Sequence, residues 1–247
     1  MTNKIENFWI KANWSAPNNI KAGTTIRTVG YSQPPYNKSN LSLDVGDDPK
    51  KVKKNRHEIL TDLGINTEPF WLEQKHSKTI LLIDKTPKDL NADGSYTTKK
   101  NRVCVVTTAD CVPILFCNDE GTKVAAIHAG WRGICKGIIE NAVKNFEHPE
   151  SILVWIGPCI SKKYYKVGED VYSNFLHYSN SLENSFEKNN NQRWSCCLKS
   201  IVKTILKKSG VKRIYGCDLC TYELKNLFFS YRRDRITGRN ATMIWIT

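Results

Sequence analysis

The stretch from Val103 to Gly133, VCVVTTADCVPILFCNDEGTKVAAIHAGWRG, constrains this chain more than any other. Two apolar runs rich in Val and Ile flank Asn118-Asp119-Glu120-Gly121. Branched apolar runs bounded by Asn, Asp and Gly read as a β-hairpin, because branched side chains suit a pleated surface and small polar residues suit a turn. A two-residue turn at Asp119-Glu120 sets Cys111 directly opposite His128. Opposed residues hold their Cβ atoms about 4.5–5.5 Å apart. A thiol and an imidazole at that spacing share either a proton or a metal ion. A longer turn with Gly121 in a left-handed bulge slips the pairing by one, and Pro113 adds a second irregularity.

Beyond the second run, His128-Ala129-Gly130-Trp131-Arg132-Gly133 leads into Ile134, Ile138, Ile139, Ala142, Val143 and Phe146 at helical spacing. A strand that turns through glycine into a helix leaves backbone N–H groups free beside His128, and Arg132 adds a positive charge for an anion. Taken alone, the glycines need only mark a turn.

With 247 residues, 40% of them apolar, the chain can bury a core without disulfide staples. Its nine cysteines are odd in number, and MTNKIENFWIKANW has no apolar signal region, so reduced thiols and a cytoplasmic location are expected. No apolar run is long enough to cross a membrane. The charge is +13, from 37 basic and 24 acidic residues. Its lysines are scattered, and no nucleic-acid-binding pattern accompanies them. The charge therefore reads as solvated lysine faces whose field favours a small anionic substrate rather than nucleic acid.

The remaining pattern predicts one mixed α/β domain over 1–247. Strands are expected at 6–14, 24–28, 151–160, 211–216 and 241–246. Residues 69–84 read as two strands interrupted at His76, whose local context is that of a surface-loop histidine. Helices are expected at 49–63, opened by Asp48-Pro49 and closed by Gly64, and at 168–178, 194–209 and 223–230. Residues 30–39, 85–102, 180–191 and 231–235 read as loops, with a turn at Asn91-Ala92-Asp93-Gly94. Cys196-Cys197 reads as helix packing. Cys217 and Cys220 have CxxC spacing but lack the second pair a structural zinc site needs, so they read as buried thiols.

Cysteine beside histidine suits two chemistries. One is a thiolate nucleophile, Cys111, with His128 as its base. The other is a zinc site of His76, Cys111 and His128, whose three N and S ligands leave a fourth position open. Asp110 could orient a ligand or take part in acid–base work. The residues alone leave both chemistries open.

Several blocks carry a family resemblance. They are Thr107-Thr108-Ala109-Asp110-Cys111-Val112-Pro113, Ala126-Ile127-His128-Ala129-Gly130-Trp131-Arg132-Gly133 and Ile156-Gly157-Pro158-Cys159-Ile160. Gln74-Lys75-His76-Ser77, Phe229-Ser230-Tyr231-Arg232-Arg233-Asp234 with Thr237-Gly238-Arg239, and the Asn40-Leu41, Gly46-Asp47-Asp48-Pro49 and Asn55-Arg56 segments extend the match over nearly the whole chain. Together they resemble the YfiH-type laccase-domain family, also called multicopper polyphenol oxidase-like or purine nucleoside phosphorylase proteins. The resemblance implies an α+β fold, a mixed β-sandwich flanked by helices. It implies zinc held by His76, Cys111 and His128, phosphorolysis of adenosine, inosine and methylthioadenosine, and deamination of adenosine. Arg27, Asn40 and Arg132 are the candidates for holding nucleoside and phosphate.

Two positions depart from the family pattern. Val29 replaces a glycine, and Gly94 stands where alanine is common. Two alternative activities are a Cys-dependent hydrolase editing peptidoglycan precursors and a copper-dependent phenol oxidase. A multicopper mechanism is poorly supplied by five histidines and two methionines, although copper(II) outcompetes zinc at most sites of this kind.

Overall fold

In the computed structural model, residues 5–6, 8–189 and 193–247 are described. The strands and helices run β1 (Ile5–Glu6), β2 (Trp9–Lys11), β3 (Ile20–Thr25), α1 (Pro49–Asp62), β4 (Ile80–Leu82), β5 (Gly94–Thr97), β6 (Cys104–Thr108), β7 (Val112–Asn118), β8 (Val124–Ala129), α2 (Trp131–Cys135) and α3 (Ile138–Lys144). They continue as β9 (Ile152–Ile156), β10 (Lys166–Val167), α4 (Glu169–Tyr178), β11 (Phe186–Lys188), β12 (Trp194–Cys196), α5 (Leu198–Lys208), β13 (Arg213–Gly216), α6 (Tyr231–Asp234) and β14 (Asn240–Ile246).

Among the described residues three sheets form: β1-β2-β3-β14-β6, β13-β9-β7-β8-β5-β4 and a small β10-β12-β11 sheet. The first two pack through Ala22, Val106, Ile244, Leu115, Ala126 and Trp155. The other face of the six-stranded sheet buries Ile114, Phe116 and Ile127 against Ile138, Ile139, Ile201 and Ile205 of the helices. The result is a mixed α+β single domain, as the resemblance implied. Strands covered on both faces read as continuous apolar runs, which is why Ile152–Ile156 was legible as a buried strand.

The central run divides in a way the sequence did not announce. Val103 to Cys117 reads as one strand, yet β6 pairs with β14 in one sheet while β7 pairs with β8 and β9 in the other. The break is at Ala109-Asp110-Cys111, where Asp110 has φ 96°. The chain crosses between the sheets there.

The hairpin register also differs from expectation. His128 pairs with Pro113, not Cys111. The turn spans four residues, because Asn118 accepts N–H bonds from Thr122 and Lys123 and Gly121 has φ 69°. The offset of two preserves the strand face, since side chains alternate with period two. Cys111 and His128 therefore remain neighbours across a diagonal.

Other differences have local causes. Residues 69–79 form no strand, because the N–H groups of Lys75, His76 and Ser77 bond to the Asp93 carboxylate instead of a sheet partner. The polar segment 85–102 conceals β5, whose Gly94 fits only without a side chain: a Cβ there would lie 2.7 Å from Ile127. The helix expected after Arg132 is two helices, separated by Gly137 at φ 88°. Within 180–191, Asn180–Ser185 forms a 3-10 helix and β11 follows, while 190 and 191 lie outside the described residues.

Trp194–Cys196 pairs with its neighbours as a strand, and the helix begins at Leu198, where the buried spacing Leu198, Ile201, Val202, Ile205 starts. Residues 223–230 form turns because the Arg233 guanidinium satisfies the carbonyls of Thr221, Tyr222 and Phe228. The 231–235 segment, expected as a loop, carries the short helix α6, capped by Ser230. Cys217 and Cys220 are buried free thiols.

Candidate metal centre

Three segments bring their side chains to one point. Cys111 stands at the crossing between the sheets, immediately before β7, and His128 is the penultimate residue of β8. His76 lies in the irregular segment before β4, with φ 54°. Cys111 Sγ is 3.8 Å from His76 Nε2. The two imidazoles meet edge to face with centroids 4.7 Å apart. One ligand atom from each of the three residues lies within 4.8 Å of the others.

Asp93 holds this arrangement from behind and is fully buried. Its Oδ1 accepts from His128 Nδ1 at 2.8 Å and from the His76 N–H at 3.0 Å. Its Oδ2 accepts from the N–H groups of Lys75 and Ser77. This leaves His128 Nε2 for the centre, the tautomer a metal-ligating histidine adopts when a carboxylate orients it. Burial alone would push the Asp93 carboxyl up, but the His128 and Ser77 hydrogen bonds outweigh it and hold it at about 2. In the sequence, Asp93 stands out only as part of the Asn91-Ala92-Asp93-Gly94 turn. The only signal for it is a carboxylate in a polar segment that flanks a candidate ligand.

The thiol responds to the same surroundings. Burial raises its pKa, but the charge and hydrogen bonds of His128, with those of His76, bring Cys111 down to about 6. Burial lowers His128, yet Cys111 and Asp93 together raise it. A thiolate is thus available near neutral pH.

Gly130 makes room for the centre. A Cβ at that position would lie 2.5 Å from His76 Cδ2 and 3.1 Å from Cys111 Sγ. Its φ is −72°, so the glycine is required by space and not by backbone conformation. The donor set suits zinc: one thiolate and two neutral imidazoles are borderline-soft ligands. Tetrahedral zinc with bonds of about 2.3 Å to sulfur and about 2.1 Å to nitrogen places S and N about 3.6 Å apart, close to the observed 3.8 Å.

Asp110 lines the cavity beside the centre, and its carboxylate is fully engaged. Its Oδ1 accepts from Thr221 Oγ1 at 2.7 Å, and its Oδ2 accepts from Ser230 Oγ and the Arg232 N–H. Both oxygens are occupied, so Asp110 ties the Cys111 backbone to the C-terminal segment.

The centre opens into a cavity of about 520 Å³ that includes Trp131, Arg132, Tyr165, Tyr231 and the arginines Arg232, Arg235 and Arg239 in its lining. Arg132 therefore faces the cavity. Asn40 is fully buried and is not part of the lining: its amide bonds to the Ser42 carbonyl and to Asp47, and its oxygen accepts from the N–H of Arg239. Arg27 lines a different cleft, where it bonds to the Asn37 carbonyl, lies 4.0 Å from Asp234 and covers the Phe229 ring. Arg232 and Arg239 fall in the blocks that carry the family resemblance, and Arg235 falls in the segment expected as a loop. Their dense spacing was the signal available.

The chain is similar to known proteins over nearly its whole length. A model of the multi-copper polyphenol oxidoreductase laccase family matches residues 21–247. The chain is 40% identical over 235 residues to the purine nucleoside phosphorylase YfiH of Escherichia coli K12, covering 94% of this chain and 96% of the relative. It is 41% identical over 239 residues to a purine nucleoside phosphorylase of Haemophilus influenzae, covering 96% and 98%. The crystal structure of Neisseria meningitidis protein NMB0706 superposes with a TM-score of 0.91 at 36% identity, covering 98% and 99% of the two chains. That of YlmD from Geobacillus stearothermophilus gives 0.88 at 28% identity, covering 99% and 98%. With a family match over nearly its whole length and close relatives that span it almost end to end, this chain belongs to the multi-copper polyphenol oxidoreductase laccase family.

Proposed function

We propose that this protein is a zinc-dependent purine nucleoside phosphorylase that also deaminates adenosine. The observation that carries the reading is the convergence of His76, Cys111 and His128 at the cavity with Asp93 behind them. Relatives at about 40% identity bear the phosphorylase name. Substrates are adenosine, inosine and methylthioadenosine together with phosphate.

His76, Cys111 and His128 hold the metal. Bound there, zinc supplies a Lewis acid and, for deamination, an activated nucleophile at neutral pH. The chain's own residues do the rest. Asp93 fixes the His128 tautomer and the His76 loop. Asp110 sets the direction of Cys111. Arginines of the cavity neutralise phosphate while it forms a bond to ribose C1′ and the bond from C1′ to the purine nitrogen breaks. Asn40 supports the Arg239 backbone rather than touching substrate, and Arg27 serves the neighbouring cleft.

The test is product analysis. Adenosine with phosphate should yield adenine, adenosine without phosphate should yield inosine, and absence of both products would overturn the reading. The lowered pKa of Cys111 beside histidine favours one second reading, a thiol hydrolase with Cys111 as nucleophile and His128 as base. Metal-free protein that hydrolyses a peptidoglycan precursor, and that alkylation at Cys111 inactivates, would establish it.

A further inference from the structure

Arg239 is a desolvated cation without a carboxylate partner. Its Nη1 donates to the carbonyls of Thr237 and Gly238 at 2.9 and 3.0 Å. Its backbone N–H is held by Asn40 at 2.9 Å. Its Nε and Nη2 meet no acceptor among the described residues. Burial lowers its pKa, and Cys111 and Asp110 oppose this only in part. Asp110 cannot pair with it, because Thr221, Ser230 and Arg232 already occupy that carboxylate. The other carboxylate in the lining, Asp44, is exposed.

A half-buried guanidinium with one edge unsatisfied is completed at a gain when a ligand supplies the missing acceptors. One rigid edge with free N–H groups, fixed by carbonyls on its other side, is the geometry that takes an oxyanion through charge-assisted hydrogen bonds.

Arg235 adds a second unpaired cation. It lines the same cavity, and its guanidinium makes no hydrogen bond or ion pair among the described residues. Its backbone has φ 61° and ψ −69°, a γ-turn closed by the Ile236 N–H on the Asp234 carbonyl, which is unusual for a residue with a side chain. The guanidinium carbons of Arg235 and Arg239 lie 5.8 and 6.0 Å from the Tyr231 ring centre. Arg132 is, like Arg235, exposed and free of acceptors, but it lies at the start of α2 over its neighbour Trp131, whereas Arg235 and Arg239 share the Tyr231 ring. Arg27 has its acceptors already. Arg232 spends Nη1 on the Lys166 carbonyl.

We infer that Arg239, assisted by Arg235, forms the oxyanion subsite of this cavity and takes inorganic phosphate as its ligand. The assignment rests on the phosphorolysis reading for its role in turnover, but phosphate binding tests it independently.

The experiment titrates inorganic phosphate into the full-length, metal-containing protein by calorimetry at constant ionic strength, alongside steady-state kinetics. Arg239→Gln should weaken phosphate binding about tenfold or more, the scale of a charge-assisted hydrogen bond. The KM for phosphate should rise by a similar factor, the KM for adenosine should stay within about twofold, and deamination should continue. Arg239→Lys keeps the charge without the planar fork and should fall between. Arg235→Gln removes no hydrogen bond from the fold, so weaker phosphate binding in that variant reports the subsite and not misfolding.

Phosphate binding by Arg239→Gln equal to that of the wild type would overturn the assignment, as would loss of binding in Arg27→Gln alone. If Arg239→Gln loses phosphate binding while no variant and no wild-type sample forms adenine, the subsite stands and the phosphorylase reading fails.

Discussion

His128 Nδ1 lies 2.8 Å from Asp93 Oδ1, and the same carboxylate accepts the backbone N–H of His76 at 3.0 Å. One buried side chain thereby fixes the ring of one ligand and the loop of another. Asp93→Asn keeps the volume but loses the charge and an acceptor. Zinc affinity, measured by chelator competition, should fall about 10–100-fold, the usual cost of removing the group that orients a metal-ligating histidine. Unchanged affinity would show that the ligands orient themselves.

Gly130 offers a steric test that spares the backbone. Alanine fits φ −72°, but its Cβ would stand 2.9 Å from His76 Nε2. Gly130→Ala should displace His76, lower metal content and activity together, and shift the melting temperature by only a few degrees, as expected for about 1 kcal/mol. Full metal occupancy in this variant would contradict the placement of His76.

Asp110 should act on stability first. Replacing it with Ala strands Thr221 Oγ1, Ser230 Oγ and the Arg232 N–H in a buried region. An unsatisfied buried polar group costs about 1–3 kcal/mol. Chemical denaturation should show a loss of that order or larger. A loss confined to activity would assign Asp110 to chemistry instead.

Glu140 gives a pH test away from the centre. Burial raises its carboxyl pKa, and Oε2 has no hydrogen-bond partner among the described residues. A raised acid contributes stability below its unfolded pKa, about 4.3, and loses it as pH rises through the folded value. Glu140→Gln is neutral throughout. It should match the wild type at acidic pH and melt above it at pH 8. A variant that melts lower at pH 8 would show that ionised Glu140 is favoured in the fold.

Two of the three ligands were legible because they lie in or beside apolar runs, while His76 reads locally as a surface-loop histidine. Cys111 and His128 flank a hairpin that composition marks clearly, and a two-residue error in register left them on one face. The crossing at Asp110 was hidden, because the apolar run continues through a left-handed residue that only tertiary hydrogen bonds stabilise. Residue Asp93 was hidden for a related reason: besides His128, its partners are backbone N–H groups of a distant loop, which carry no sequence signature. Arg27 and Arg132 look alike in sequence. Only the fold shows that one is consumed by Asn37 and Asp234 while the other faces the cavity.

The most direct test measures zinc and product on the same samples of wild-type protein and Cys111→Ala, purified without added metal. About one zinc per wild-type chain is expected, with adenine formed from adenosine only with phosphate, and both zinc and adenine lost in Cys111→Ala at an unchanged fold. Adenine formation at the wild-type rate by zinc-free Cys111→Ala would contradict this expectation.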